Sequence, residues 1–255
     1  MKDTVKQPMN APMTTAVVAK AVGVHPNTIR MYEALGFLPV IPRGRNGYRQ
    51  FSERHLDQAR LIRLAYAGPY PGGAEPVLTL IKQVAADRLG DALENAYRYL
   101  VQVRSEYAQA DAAVLLLERW ARGVPTDVVA KPLRIKEVAR LLDIHSDTLR
   151  SWERNHLLHT PRDPNNGYRL YGAAEIGRLR VIRMLRAAGY SMMSILRLMR
   201  HLDQGHADNL RQVLDTPPPD EEILSAADSW ISTLKAQEVR ALAIIDHLEM
   251  MLQND

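Results

Sequence analysis

Apolar residues along much of this chain recur at the three- and four-residue spacing of an amphipathic helix. A clear short example consists of Ile135, Val138, Ala139 and Leu142. The stretch 143–146 then breaks the pattern, and Ser146 and Asp147 carry side-chain oxygens that can cap a second helix ending near Arg154. Two helices joined across three or four residues predict a helix-turn-helix.

The same pattern occurs twice along the chain. Residues 13–70 align with residues 133–190 at a constant offset of 120 and without a gap. Identical pairs run through both copies and include Val18/Val138, His25/His145, Thr28/Thr148, Arg30/Arg150, Glu33/Glu153 and Leu38/Leu158. An internal repeat of this kind indicates two copies of one structural unit.

Each copy also contains a predicted hairpin. The tetrapeptide Asn-Gly-Tyr-Arg occupies residues 46–49 and again residues 166–169. Asn-Gly is a strong signal for a two-residue type I′ turn, because both central residues of that turn need a positive φ. Each copy is therefore predicted to carry a small hairpin, a wing, after its second helix.

Two stretches repeat apolar residues every seven positions, as a coiled-coil seam requires. One seam contains Leu93, Leu100, Tyr107, Val114 and Ala121, with Ala96, Val103, Ala110 and Leu117 between them. The other contains Leu224, Ile231, Glu238, Ile245 and Leu252, with Ala227, Leu234, Ala241 and Leu248 between them. Such a helix cannot bury its seam alone, so the two are expected to pair within the chain as a pseudo-dimer. The alternative is a homodimer, which would contain four copies of the repeated unit. We call each copy a head.

Composition agrees with a mainly α protein, because aromatic residues make up only 6% of the chain. The absence of cysteine excludes disulfides, zinc fingers and thiolate nucleophiles, and fits a reducing compartment. No apolar stretch approaches the roughly 18 residues that span a bilayer, so we expect a cytoplasmic protein without a membrane partner.

Positive charge is concentrated in the two repeats. Residues 13–70 hold eight Lys/Arg and three Asp/Glu, and residues 133–190 hold eleven and six, so each block has a formal charge of +5. Segregated positive charge of this kind favours a polyphosphate partner such as a nucleic acid.

These patterns predict seven segments along the chain. A flexible tail (1–12) precedes the first head (13–85) and a long coiled-coil helix (86–123). A linker (124–131) leads to the second head (132–205), a further linker (206–219) and a second long helix (220–253).

The strings HPNTIRMYEALGFL…RNGYRQF and HSDTLRSWERNHLL…NNGYRLY resemble the MerR family of bacterial regulators. The resemblance covers both repeats and implies two winged helix-turn-helix heads. It also implies a regulator that binds a pseudo-palindromic operator in double-stranded DNA and distorts the promoter so that RNA polymerase can engage it. The second head continues to resemble the family through residues 189–195, whereas the Pro- and Gly-rich stretch 68–76 of the first head departs from it.

Candidate DNA-contacting residues lie in the second helix of each head, which would enter the major groove. Arg30 and Arg150 are expected to contact DNA. Residues at the helix start are expected to reach base edges: His25, Asn27, Thr28, His145, Asp147 and Thr148. Capping of the helix is the alternative for Thr28, Thr148 and Asp147. Tyr32 and Trp152 either brace a phosphate or pack under the wing. Unlike pairs such as Asn27/Asp147 suggest that the heads read unlike half-sites.

The predicted wings supply further candidates. Arg49 and Arg169 are expected to grip the phosphate backbone, and Arg43, Arg45 and Arg162 to add charge. Tyr48 and Tyr168 are expected to hold the wing on the head rather than to read sequence.

Catalysis and cofactor binding find no support in the sequence. No nucleophile elbow, phosphate loop or dinucleotide fingerprint occurs, and the pairs His156/His159 and His201/His206 lack further ligands for a metal. An effector, if there is one, is expected to be a small molecule that binds between the long helices or against a head. The alternatives to a regulator are an architectural DNA-bending protein without an effector and a scaffold that binds protein.

Overall fold

The computed structural model describes residues 12–70, 72–123, 131–217 and 226–254. Nearly all of the predicted tail (1–12) and of the first predicted linker (124–131) lies outside these residues, as does the junction of the second linker with the last helix. The described residues divide into two compact units. The first unit runs to Arg104 and resumes at Ala236, and the second unit runs from Ser105 to Lys235.

The first unit contains the first head. Its short helices are α1 (Thr15–Val22), α2 (Pro26–Ala34), α3 (Glu53–Ala65) and α4 (Glu75–Ala85). The hydroxyl of Thr14 caps α1 by accepting the Val17 N–H at 3.4 Å. Gly23 ends this helix in the left-handed conformation, with φ of 73°, which glycine adopts without a steric penalty. The turn before α2 follows directly, and Pro26 stands in the first turn of α2, where its missing N–H has no partner to lose.

Long helices follow the heads. Helix α5 spans Leu89–Ala121 and helix α11 spans Trp230–Gln253. One apolar line of each predicted seam is fully buried in its helix, namely Ala96, Val103, Ala110 and Leu117 in α5 and Leu234, Ala241 and Leu248 in α11. Ala227, which was predicted to begin the second of these lines, is half-buried and lies before α11. Helix α11 begins ten residues later than position 220, and residues 226–229 ahead of it form a 3-10 turn. Residues 220–225 lie outside the described part of the chain.

The two long helices are bonded to each other in the first unit. The Tyr97 hydroxyl donates to Glu249 Oε1 at 2.9 Å, and Arg104 Nε donates to Glu238 Oε1 at 2.7 Å. Residue numbers rise along one helix as they fall along the other, so the two segments run antiparallel.

The second unit contains the second head. Its helices are α6 (Ile135–Leu141), α7 (Ser146–Arg154), α8 (Ala173–Ala187), α9 (Met192–Asp203) and α10 (Leu210–Asp215). Helix α10 lies inside the stretch 206–219 that the sequence predicted as a linker. Its residues Leu210 and Leu214 are four apart and buried, so one short turn has enough apolar surface to dock.

The 3-10 turn packs on the start of α9. The Ser191 hydroxyl donates to the Asp228 carboxylate, and Ser194 Oγ donates to the Asp228 carbonyl at 3.1 Å. Trp230 Nε1 donates to the Ala188 carbonyl at 2.8 Å. The indole lies so close to Gly189 that a Cβ there would stand 2.5 Å from its nitrogen, and Gly189 also has φ of 97°. Only glycine fits this position.

Isolated antiparallel bridges hold the hairpins. Met13 pairs with Phe51 and Arg43 with Arg49, while Leu133 pairs with Tyr171 and Arg162 with Arg169. The described residues form no longer strand. We refer to residues 42–50 as the first hairpin and residues 161–170 as the second hairpin.

Candidate nucleic-acid interface

A histidine occupies the N-cap position directly before the second helix of each head. His25 Nδ1 accepts the Asn27 N–H at 3.2 Å and so caps α2. His145 has nearly the same backbone conformation, but its side chain makes no capping bond within the described residues. Capping by Ser146 or Asp147 was therefore a wrong prediction, because Ser146 is already the first helical residue.

An arginine and a polar neighbour stand together on the exposed face of this helix. In α2, Arg30 Nη1 donates to Asn27 Oδ1 at 2.8 Å. In α7, Arg150 Nη1 donates to Asp147 Oδ1 at 2.6 Å. Residues three apart share one face of a helix, and both arginines are exposed. Each head thus presents a cation and a second hydrogen-bonding group on one surface.

Tyr32 and Trp152 belong to the cores of the heads. Their exposed fractions are 3% and 5%. Burial raises the pKa of the Tyr32 phenol above its ordinary value. Of the two roles considered for this pair, the structure supports packing over a direct contact with phosphate.

The base of each hairpin is tied to the second helix by an ion pair. Arg49 Nε donates to Glu33 Oε2 at 2.6 Å, and the other oxygen of Glu33 accepts the Ile41 N–H at 3.0 Å. Arg169 Nε donates to Glu153 Oε2 at 2.6 Å. The exposed side-chain fractions range only from 15% to 29%. The two arginines expected to grip phosphate therefore have an internal partner as well. Neither glutamate was predicted as a site residue, although the two form an identical pair in the repeat.

Exposed arginines and tyrosines lie along the hairpins. Arg43 Nη1 donates to the Gly47 carbonyl at 3.0 Å, and Arg162 Nη1 donates to the Gly167 carbonyl at 3.2 Å. Arg45 is exposed. Tyr48 and Tyr168 are 70% and 58% exposed, so neither ring is buried against its head. The guanidinium of Arg134 lies 5.1 Å from the centre of the Tyr168 ring.

The turns at the hairpin tips are not the predicted type I′. Gly47 and Gly167 have φ of 77° and 71°, but Asn46 and Asn166 are not in the positive-φ region. Instead, Asn46 Oδ1 accepts the Tyr48 N–H at 3.1 Å, and Asn166 makes the same bond to Tyr168 at 3.0 Å. An asparagine that bonds the backbone two residues ahead makes a turn of its own.

The second hairpin is one residue longer than the first. The Gln50 N–H donates to the Pro42 carbonyl, and the Leu170 N–H donates to the Pro161 carbonyl. Pro161 therefore corresponds to Pro42 at an offset of 119, and the gap-free alignment fails between residues 159 and 166. Compared with the first copy, the second copy has one residue fewer before the hairpin and one residue more within it. The offset of 120 therefore returns at the Asn-Gly-Tyr-Arg tetrapeptides.

Family models match both heads. Residues 133–202 match a model described as MerR HTH family regulatory protein, and residues 14–51 match a model described as MerR family regulatory protein. Both heads thus match the MerR family. The MerR match runs into α9 in the second head but ends after the hairpin in the first head.

Curated MerR-type relatives match a single stretch of comparable length. The HTH-type transcriptional regulator ZntR of Escherichia coli (strain K12) is 33% identical over 66 residues, which is 26% of this chain and 47% of ZntR. The mercuric resistance operon regulatory protein of Bacillus cereus is 30% identical over 74 residues, 29% of this chain and 56% of that protein. Its counterpart from Pseudomonas fluorescens is 30% identical over 76 residues, covering 30% and 53%. The chain thus spans about half the length of these relatives. No solved structure matches it significantly.

The described residues contain neither a candidate membrane span nor a candidate metal site. None of their helices is both long and apolar enough to cross a membrane. No group of three or more His, Asp or Glu side chains in the same residues is placed to hold a metal ion.

Proposed function

We propose that this chain is a transcription regulator that binds double-stranded DNA sequence-specifically through two winged helix-turn-helix heads. The observation that carries the proposal is the exposed arginine with its polar neighbour at the start of the second helix, in the same arrangement in both heads. A helix of this kind reads base edges in the major groove with its first residues. The MerR-type matches of both heads support the same reading.

The hairpins are proposed to contact phosphate next to the groove that the helix occupies. Arg43 and Arg162 are exposed and pair across the hairpins with Arg49 and Arg169. Arg49 and Arg169 bond their glutamates through Nε, and their terminal guanidinium nitrogens are proposed to contact a phosphate oxygen. The Glu33 and Glu153 ion pairs fix each hairpin to its helix, so the base-reading and phosphate-contacting surfaces form one rigid element. Phosphate contacts position a protein on DNA, whereas base contacts give sequence specificity.

The two heads are proposed to be a tandem duplication within one polypeptide, with α5 and α11 pairing as an intrachain coiled coil. The bonds Tyr97 to Glu249 and Arg104 to Glu238 support an antiparallel pairing. This arrangement would replace a two-chain dimer by a pseudo-dimer. Light scattering tests it: a complex with one chain per operator supports the proposal, and two chains per operator support a homodimer.

We further propose that the protein distorts promoter DNA to control access by RNA polymerase. Bending or untwisting a site costs several kcal/mol, which backbone contacts must offset. The decisive experiment recovers bound genomic fragments and footprints them. Protection between the two recognition elements of a promoter supports the regulator. Scattered sites outside promoters support an architectural DNA-bending protein, and the absence of any footprint at physiological salt would support a protein scaffold.

The contribution of the hairpins is measured by salt dependence. Arg43→Ala combined with Arg162→Ala is expected to lower the slope of log affinity against log salt by about two, because each lost phosphate contact removes about 0.9. Arg49→Ala combined with Arg169→Ala should weaken binding and also lower protein stability, since it breaks the ion pairs. Arg88→Ala, on an exposed arginine just before α5 that is bonded to Asp91, is the control and should leave the slope unchanged. An unchanged slope in the first double variant would remove the hairpins from the interface.

A further inference from the structure

The second hairpin carries less positive charge than the first. Residues 42–50 contain three arginines and no acidic residue, which gives a formal charge of +3. Residues 161–170 contain Arg162, Arg169 and Asp163, which give a formal charge of +1. Affinity for DNA depends on the number of phosphates that cations neutralise. If the hairpins were the whole source of these cations, the second head would bind the DNA backbone less strongly than the first.

The longer loop of the second hairpin accounts for this difference. Asp163 takes the place of Gly44, because each donates its main-chain N–H to the carbonyl of the hairpin tyrosine. The two residues after Asp163 are proline and asparagine, where the shorter hairpin has Arg45. The Asp163 carboxylate accepts the Asn165 N–H and the Asn166 Nδ2, both at 2.9 Å. An acid thus shapes the longer loop, and an arginine is lost from it.

Arg134 supplies a cation beside the second hairpin from outside it. This residue is exposed directly before α6, and its guanidinium lies over the Tyr168 ring, 5.1 Å from the ring centre. The repeat places Thr14 at the equivalent position of the first head. The backbone is the same at both positions, with φ of −89° and −84° and ψ of 162° and 163°. The two heads therefore differ here in the side chain alone.

The two residues serve their helices in different ways. The Thr14 hydroxyl caps α1, as described above. The Arg134 side chain makes no capping bond to α6 within the described residues, and Glu137 Oε2 accepts the Arg134 main-chain N–H at 2.7 Å. Because this position needs no hydroxyl in the second head, a long cationic side chain can occupy it.

The contact with Tyr168 positions the Arg134 guanidinium on the hairpin. A cation over an aromatic ring is attracted by the negative face of the ring, and this attraction requires no hydrogen-bond acceptor. The planar N–H donors of arginine match the oxygens of a phosphate. Because the ring already limits the conformations of the long side chain, binding a phosphate should cost Arg134 less conformational entropy than it costs an unrestrained arginine.

We propose that Arg134 binds a backbone phosphate of the half-site that the second head occupies, and that it supplies the cation that the second hairpin lacks. Arg45 has this role in the first head. The assignment rests on the proposed function, because it needs a head bound to DNA. It adds that the two heads hold the DNA backbone with different elements. The third cation comes from the hairpin in the first head and from the start of the helix-turn-helix in the second.

The salt dependence of binding tests the proposal, with the full chain and a duplex that contains the footprinted operator. Arg134→Gln should lower the slope of log affinity against log salt by about 0.9, the contribution of one phosphate contact. Arg134→Lys keeps the charge and should keep the slope. Arg119→Gln, on an exposed arginine of α5, is the matched control and should also keep it. An unchanged slope in Arg134→Gln would overturn the proposal.

Neutral methylphosphonates, placed at one backbone position at a time, locate the contact. One substitution should weaken binding of the wild type but not of Arg134→Gln, and its position should lie in one half-site. Arg45→Asn should abolish the effect of a substitution in the other half-site. If every methylphosphonate weakens the wild type and Arg134→Gln equally, Arg134 only braces the hairpin and the proposal fails.

Failure of this assignment is distinguishable from failure of DNA binding. A wild-type protein that gives no footprint contradicts the proposed function as well as the role of Arg134. A wild-type footprint together with an unchanged slope in Arg134→Gln contradicts the role of Arg134 alone. Thermal unfolding of Arg134→Gln at the temperature of the wild type would show that a lowered slope does not come from loss of the fold.

Discussion

The first and second heads hold their hairpins in the same way but present different chemistry at their surfaces. Glu33 bonds Arg49 in one head, and Glu153 bonds Arg169 at the same distance of 2.6 Å in the other. At the exposed helix start, however, the neutral Asn27 of the first head is replaced by the anionic Asp147 of the second. The junctions after the third helix also differ, since the second contains Gly189 packed against Trp230.

The comparison separates two kinds of residue in the repeat. Glu33 and Glu153 are identical and connect the second helix to the hairpin inside each head. Asn27 and Asp147 differ and lie on the exposed helix face, beside Arg30 and Arg150, which are identical. Two heads that bind different half-sites would need different exposed residues on the same internal structure, because base contacts decide sequence specificity.

The largest effect is expected at the junction that only the second head has. Gly189→Ala should lower the free energy of unfolding by about 3 kcal/mol, because it adds left-handed strain and places Cβ against the Trp230 indole. Gly205→Ala is the control for strain alone, since Gly205 has φ of 84° and open space around it. It should cost about 1 kcal/mol. Urea unfolding measures both, and equal losses would show that the indole contact contributes nothing.

A reciprocal exchange at the helix starts should have a smaller effect. Asp147→Asn removes an anion that neutralises Arg150, so DNA affinity should rise about fivefold, which corresponds to about 1 kcal/mol. Asn27→Asp should lower it by a similar factor, because a carboxylate repels phosphate and accepts the guanidinium of Arg30.

The exchange is measured by mobility shift on the recovered operator and by selection of preferred half-sites. Asparagine both donates and accepts hydrogen bonds, whereas an ionised aspartate only accepts. Each exchange should therefore change the base preference of one half-site only. Changes in both half-sites, or in neither, would contradict the assignment of one half-site to each head.

The smallest effect concerns acid stability. Arg178 bonds Asp203 in the second head, whereas Gln58 at the equivalent place of the first head donates to the Val84 carbonyl. The hydrogen bond from Arg178 holds the pKa of Asp203 below its ordinary value of 3.8. The stabilisation is therefore present above that value and is lost as the pH falls through the lowered pKa.

Asp203→Asn should consequently make unfolding of the protein less dependent on pH between about 5 and 2. The effect should be modest, because the Asp203 side chain is 55% exposed. Thermal unfolding followed over this pH range measures it. Asp91→Asn, on an exposed carboxylate of α5, is the control, and an equal change in both variants would mean that the ion pair with Arg178 has no special role.

The sequence predicted those local features at which helical periodicity and identity between the two copies of the repeat coincide. The helix-turn-helix of each head and the buried seams through Val103 and Leu234 needed only residue spacing. The hairpin register did not follow, because a compensating loss and gain restored the offset of 120 at Asn166. The positions of Pro42 and Pro161, which differ by 119, were the one local signal.

The remaining differences depend on tertiary contacts that a pattern does not contain. Tyr48 and Tyr168 were expected to hold the hairpins on the heads, but both rings are largely exposed, and the ring contact of Tyr168 is with the guanidinium of Arg134. Helix α10 was predicted as a linker, because six residues with two buried leucines are too few for a periodic signal. Arg49 and Arg169 were recognised as important, but their glutamate partners lie 16 residues away in sequence.

The extra residue of the second hairpin has a consequence on the scale of a nucleotide. One residue extends a chain by at most about 3.6 Å. Successive phosphates of one DNA strand are spaced by about 3.4 Å along the helix axis. Because a hairpin runs out and back, one added residue moves its tip by at most about half that length, so the two hairpins of this protein need not meet equivalent points of a DNA backbone.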